Sequence, residues 1–132
     1  MTEQTRSVSD ASVDAPAVRR GVTRAEDAVT AARELGRALR QPATAVAVFF
    51  ASPDYDRDAL AAAMAAEFAD VPLIGCTTAG EITPQGYESG TITGFSLAAP
   101  DFAAAVGFLP SLDAFTTADG ERVALGVTAA LQ

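Results

Sequence analysis

The stretch Val46–Cys76, VAVFFASPDYDRDALAAAMAAEFADVPLIGC, decides the fold. Val46 to Ala51 is short, continuously apolar and rich in β-branched and aromatic residues. That is the composition of a strand covered on both faces, as in a parallel sheet. Ser52-Pro53-Asp54 breaks it. Asp56 stands where an N-cap belongs, and Leu60, Ala63, Met64 and Phe68 then recur at helical spacing. Pro72 restarts the chain, and Leu73 to Cys76 reads as a second strand. Strand, helix and strand within about 30 residues make a βαβ unit, so the two strands run parallel and end at the same sheet edge.

Upstream, residues 1–21 are Ser, Thr, Asp, Ala and Arg with little periodicity, and a disordered tail is expected there. The domain is expected to occupy 22–132. Thr23-Arg24-Ala25-Glu26 fits a capping box. Ala25, Ala28, Val29, Ala32, Leu35 and Leu39 then give one apolar helix face, closed by Pro42. Downstream, Thr91–Ala98 and Phe102–Leu109 read as strands separated by Ala99-Pro100-Asp101, and so short a connection predicts an antiparallel hairpin. A last helix is expected from Thr117 to Leu131, with Val123, Val127, Ala130 and Leu131 on its apolar side and Leu125 opposite. The expected class is α/β with α+β character. A mixed sheet holds a parallel βαβ unit followed by an antiparallel hairpin, with helices packed on it.

Composition removes several chemistries. The 132 residues suit one domain. Nine Arg and no Lys face 17 acidic residues, for a net charge of -8. Such a field opposes binding to nucleic acid or to anionic membrane surfaces. There is no histidine, which removes Ser-His-Asp and Cys-His nucleophiles together with His-ligated zinc, iron and heme. A single cysteine excludes an internal disulfide and fits a reducing compartment. No apolar run approaches membrane-helix length and the N-terminus shows no apolar leader, so a cytoplasmic location is expected.

The edge where both parallel strands end is where open α/β sheets place ligands. It carries Ser52, Asp54 and Tyr55 after the first strand, then Cys76, Thr77, Thr78, Gly80 and Glu81 after the second. Small residues admit a ligand to the backbone, and hydroxyls offer adaptable hydrogen bonds. Each residue has a structural reading beside the functional one. Cys76 is either a small buried apolar residue or a thiolate assisted by free N–H groups. Thr77 and Thr78 are either turn formers or ligand contacts. Gly80, Gly86 and Gly90 supply turn freedom and match no phosphate-binding pattern. Glu81 receives a ligand amine, caps a helix or faces water. Asp54, Asp56 and Asp58 read as capping charges, without the remaining ligands of a calcium loop.

These residues resemble a family. Phe49-Phe50-x-Ser52-Pro53-Asp54-Tyr55-Asp56, then Ile74-Gly75-Cys76-Thr77-Thr78-Ala79-Gly80-Glu81-Ile82, then Gly86-Tyr87 before a Gly-containing strand, are similar to the FIST N domain. The resemblance spans Arg24 to Leu131. It implies a sensory module of an intracellular signal transduction protein that binds a small molecule, such as an amino acid or related metabolite, without catalysis. It implies a FIST C domain or a signalling output protein as partner, and no cofactor; heme-linked sensing in one branch does not carry over without histidine. Measured against the family pattern the chain reads as a partial domain. The resemblance points to Cys76, Thr77, Thr78, Gly80 and Glu81 as site or scaffold, with Ser52 beside them. The alternative reading is a thiol-dependent enzyme or redox protein using Cys76.

Overall fold

The computed structural model describes residues 16–132. Strand β1 (Val18–Thr23) leads to helix α1 (Ala28–Leu39), strand β2 (Thr44–Ala51), helix α2 (Arg57–Glu67) and strand β3 (Leu73–Thr77). A short hairpin of β4 (Glu81–Thr83) and β5 (Gly86–Glu88) follows, then strand β6 (Ile92–Ala98), a 3-10 turn at Leu112–Ala114 and helix α3 (Thr117–Ala130). The main sheet has the order β1-β6-β2-β3. β2 and β3 are parallel, as the βαβ pattern requires, while β6 is antiparallel to both β1 and β2. The class is thus the expected one: a mixed sheet, a parallel βαβ unit, an antiparallel hairpin after it, and helices on the sheet.

Three placements differ from the sequence reading. Most of the expected tail lies outside the described residues, but its last part, Val18–Gly21, belongs to β1, which pairs along its whole length with β6. The hairpin after the βαβ unit is β4–β5, not Thr91–Leu109. Both hydrogen-bonding edges of β6 are taken by β1 and β2, so Phe102–Leu109 cannot pair back onto β6 as a hairpin and forms no strand. Finally, α1 is capped by Asp27, whose carboxylate accepts from the Thr30 N–H at 2.8 Å. Thr23 ends β1 instead, and its hydroxyl donates to Glu34. A true capping box does occur, at Thr116 and Asp119 of α3.

Alternation along the strands sorts the sheet into two faces. Ala47, Phe49 and Ala51 of β2 and Ile92, Gly94 and Ser96 of β6 point to the side of α1 and α2. There Ala31, Ala32, Leu35 and Leu39 meet Leu60, Met64 and Phe68 in one core. Asp56 caps α2 as its position predicts, accepting from the Ala59 N–H at 2.8 Å. The opposite face carries Val18, Arg20, Phe50, Ile74 and Cys76, all exposed. β2, expected to be covered on both faces, is central in the sheet but covered on one face, with Phe50 exposed on the other, and β3 is an exposed edge strand.

Candidate ligand-binding site

The ends of β2, β3 and β6 are knitted together by backbone bonds. The Thr78 N–H donates to the Ala51 carbonyl at 3.0 Å, and the Ser52 N–H to the Thr91 carbonyl at 2.9 Å. Ser52 is buried; its hydroxyl donates to Asp54 Oδ2 at 3.1 Å and accepts from the Asp54 N–H at 3.3 Å. The turn that presents Asp54 and Tyr55 is therefore shaped by Ser52, which is itself closed to a ligand.

Glu81 is 1% exposed. Its Oε1 accepts from the Thr78 hydroxyl at 2.7 Å, and its Oε2 from the Thr91 hydroxyl at 2.9 Å and the Thr91 N–H at 3.4 Å. A buried carboxylate is tolerable only when its oxygens are satisfied in this way. Glu81 thus clamps the β4–β5 hairpin between the end of β3 and the start of β6. Gly80 lies against the Tyr87 ring, where a Cβ would fall 2.0 Å from the phenolic oxygen. The Tyr87 hydroxyl donates to the Ala79 carbonyl at 2.8 Å. Gly86, with φ of +114°, closes the hairpin in a conformation that side chains disfavour.

Two clefts flank this hairpin. The larger, about 670 Å³, lies among the ends of β1 and β2 and the β5–β6 turn, lined by Arg24, Glu26, Asp54, Tyr55, Glu88, Ser89, Gly90 and Thr91. The smaller, about 410 Å³, opens on the uncovered sheet face and is lined by Arg20, Phe50, Thr78, Gly80, Glu81, Ile82, Thr93, Gly94 and Phe95. Of the six site residues expected from sequence, Thr78, Gly80 and Glu81 line the smaller cleft, Ser52 supports the turn at the larger one, and Cys76 and Thr77 line neither. The reading of Cys76 as a buried residue is corrected: its thiol is exposed. The reason is β3's place at the sheet edge, where nothing covers the open face.

The larger cleft is polar and charged. Arg24 Nη2 contacts both oxygens of Glu88, at 2.7 and 2.9 Å, and Gln85 Oε1 at 3.2 Å. That pair is partly exposed, so its worth lies in orientation more than in stability. Tyr55 is buried, and its hydroxyl donates to the Ala25 carbonyl. Burial, reinforced by the negative charges of Glu81, Glu34, Asp27 and Glu26, raises its pKa above the ordinary tyrosine value, so the ring stays a neutral wall. Carboxylates outnumber guanidinium groups three to one among the lining residues. Asp54 and Tyr55 were legible as edge residues; Arg24, Glu26, Glu88 and Ser89 were not. The polar run Tyr87-Glu88-Ser89-Gly90 was the available signal for the last two.

Among the described residues no group of three or more His, Cys, Asp or Glu side chains is placed to hold a metal ion, and no helix is long and apolar enough to cross a membrane. A mixed α/β domain with its clefts at strand ends is an architecture that binds at its edge. Residues 44–131 match the FIST N domain, and the chain belongs to that family of sensory domains of signal transduction. No curated protein and no solved structure matches the chain significantly.

Proposed function

We propose that this domain is a small-ligand sensor that binds an amine-bearing metabolite, such as an amino acid, in the larger cleft and carries out no catalysis. The observation behind this reading is the lining of that cleft. Arg24 is already neutralised by Glu88, which leaves Glu26 and Asp54 to attract an ammonium group, while the Ser89–Gly90 turn offers donors to a carboxylate. A volume of about 670 Å³ suits a small metabolite. The absence of histidine from the whole chain, and the placing of Cys76 away from this cleft, favour binding over catalysis.

The walls of the cleft come from separate elements, so a ligand that bridges them alters how the hairpin sits against β1. That movement is a signal which a FIST C domain or an output protein can read, by population shift between the two arrangements. The acidic charge favours a protein partner over nucleic acid or membrane. An exposed free thiol at Cys76 suits the cytoplasm, where thiols stay reduced.

Thermal unfolding in the presence of amino acids, amines and their acetylated forms tests the proposal. A ligand at about 100 times its Kd adds about 2.7 kcal/mol of stability. Amines are expected to raise the melting temperature, their acetylated forms not to, and Asp54→Asn with Glu26→Gln to abolish the rise. A cooperative melt that no amine shifts would overturn the reading.

A further inference from the structure

We propose that the smaller cleft, on the uncovered face of the sheet, is a second ligand site, for a small carboxylate with an apolar body. Arg20 carries the argument. Its register partner on β6 is Phe95, which pairs in turn with Val48 of β2. By strand alternation it is the one charged side chain that the described strands of the main sheet place on this face. Among the described residues the side chains of Arg20, Arg33, Arg37 and Arg57 make no hydrogen bond or ion pair, and of these four it is Arg20 that lines the cleft.

The rest of the cleft is complementary to an amphipathic anion. Phe50 and Ile82 are 37% and 80% exposed, and Phe95 stands on β6, the strand between Arg20 on β1 and Phe50 on β2. Covering those surfaces removes apolar area from water. Glu81 also lines the cleft, but its oxygens are taken by Thr78 and Thr91, so Arg20 is the group left to meet a ligand's charge. A volume of about 410 Å³ fits a ligand of small-metabolite size. The chemistry differs from that of the larger cleft, which favours cations, and the two sites share only the hairpin between them. A charge on an edge strand also discourages edge-to-edge pairing; that role requires no ligand, and the test separates the two.

Calorimetric titration of the chain with octanoate, with octylamine and octanol as matched probes, tests the site. Octanoate is expected to bind saturably, one per chain, and octylamine not to bind there. Arg20→Gln is expected to weaken octanoate by about tenfold, the loss of a hydrogen bond to a charged group, and to leave octanol unchanged. Ile82→Ser, at an exposed position, is expected to weaken both probes with an unaltered melting temperature. Asp54→Asn is expected to leave octanoate binding intact, so failure here and failure of the amine site are read separately. Equal octanoate affinity in wild type and Arg20→Gln overturns the proposal and leaves Arg20 as an edge guard. Octylamine binding as well as octanoate in the chain carrying Asp54→Asn and Glu26→Gln, no saturable octanoate binding, or a concentration-dependent dimer that octanoate does not compete with overturns it too, the last assigning the face to a second copy of the chain.

Discussion

Helices α2 and α3 are similar objects in sequence and opposite ones in structure. Both are alanine-rich, of 11 and 14 residues, and both begin at a side-chain cap, Asp56 and Thr116. Yet α2 buries Leu60 and Met64 and ends on buried Phe68, while α3 buries nothing. The difference lies in what each helix meets. α2 crosses from β2 to the parallel β3 and packs against α1 and the covered sheet face. α3 follows a segment whose one regular element is the 3-10 turn, and Val123 and Val127 lie against Gly107 of that segment rather than against the core. Helix stability in proteins comes mostly from tertiary packing of a face, and here one face has a partner and the other does not.

The comparison can be broken by mutation. Leu35→Ala, at the heart of the packing that α2 shares, is expected to cost about 3 kcal/mol in chemical denaturation, because a large buried side chain leaves a cavity. Leu125→Ala on α3, 64% exposed, is expected to stay within about 0.5 kcal/mol of wild type. Comparable losses at both sites would mean that α3 is buried in solution. Next in size is Glu81→Ala, expected to cost about 2 kcal/mol by leaving Thr78 and Thr91 donors without their acceptor. A neutral result would show that the hairpin clamp contributes nothing.

Tyr55→Phe removes one hydrogen bond and is expected to cost about 1 kcal/mol at neutral pH. It also has a pH signature. The folded-state pKa is raised, so the stabilisation is complete below the unfolded tyrosine value of 10.0 and is lost as pH rises through the folded value. Wild type should therefore lose stability above about pH 10 more steeply than Tyr55→Phe; parallel curves would remove Tyr55 from the buried set. The smallest effect is expected at Cys76. The exposed thiol should react with a maleimide in the native state about as fast as in denaturant, and Cys76→Ser should change stability by less than about 0.5 kcal/mol. Protection that only unfolding removes would indicate that something covers the open face.

Much of the domain was legible because local physics and final structure agree. The apolar run at Val46–Ala51, the cap at Asp56 and the spacing of Leu60, Met64 and Phe68 specify strand, start and buried face from a few neighbouring residues each. The candidate site was legible only in part. Asp54, Tyr55, Thr78, Gly80 and Glu81 do gather around the strand ends, since a βαβ unit fixes which edge its loops share. Arg24 and Glu88 were not legible as partners, because 64 positions separate them in the chain.

By itself the sequence determined the elements near β2, the parallel pairing of β2 with β3, and the exclusion of histidine chemistry, since these follow from composition and short-range periodicity. Only the tertiary structure decided that β6 lies between β1 and β2, that Phe102–Leu109 is therefore left without an edge of β6 to pair with, and that Cys76 is exposed. It also decided that Glu81 turns inward to Thr78 and Thr91 instead of outward to a ligand. Each of these depends on which strand reaches a sheet position first and on what then covers it. That competition is between distant segments, and no local pattern of residues records its outcome.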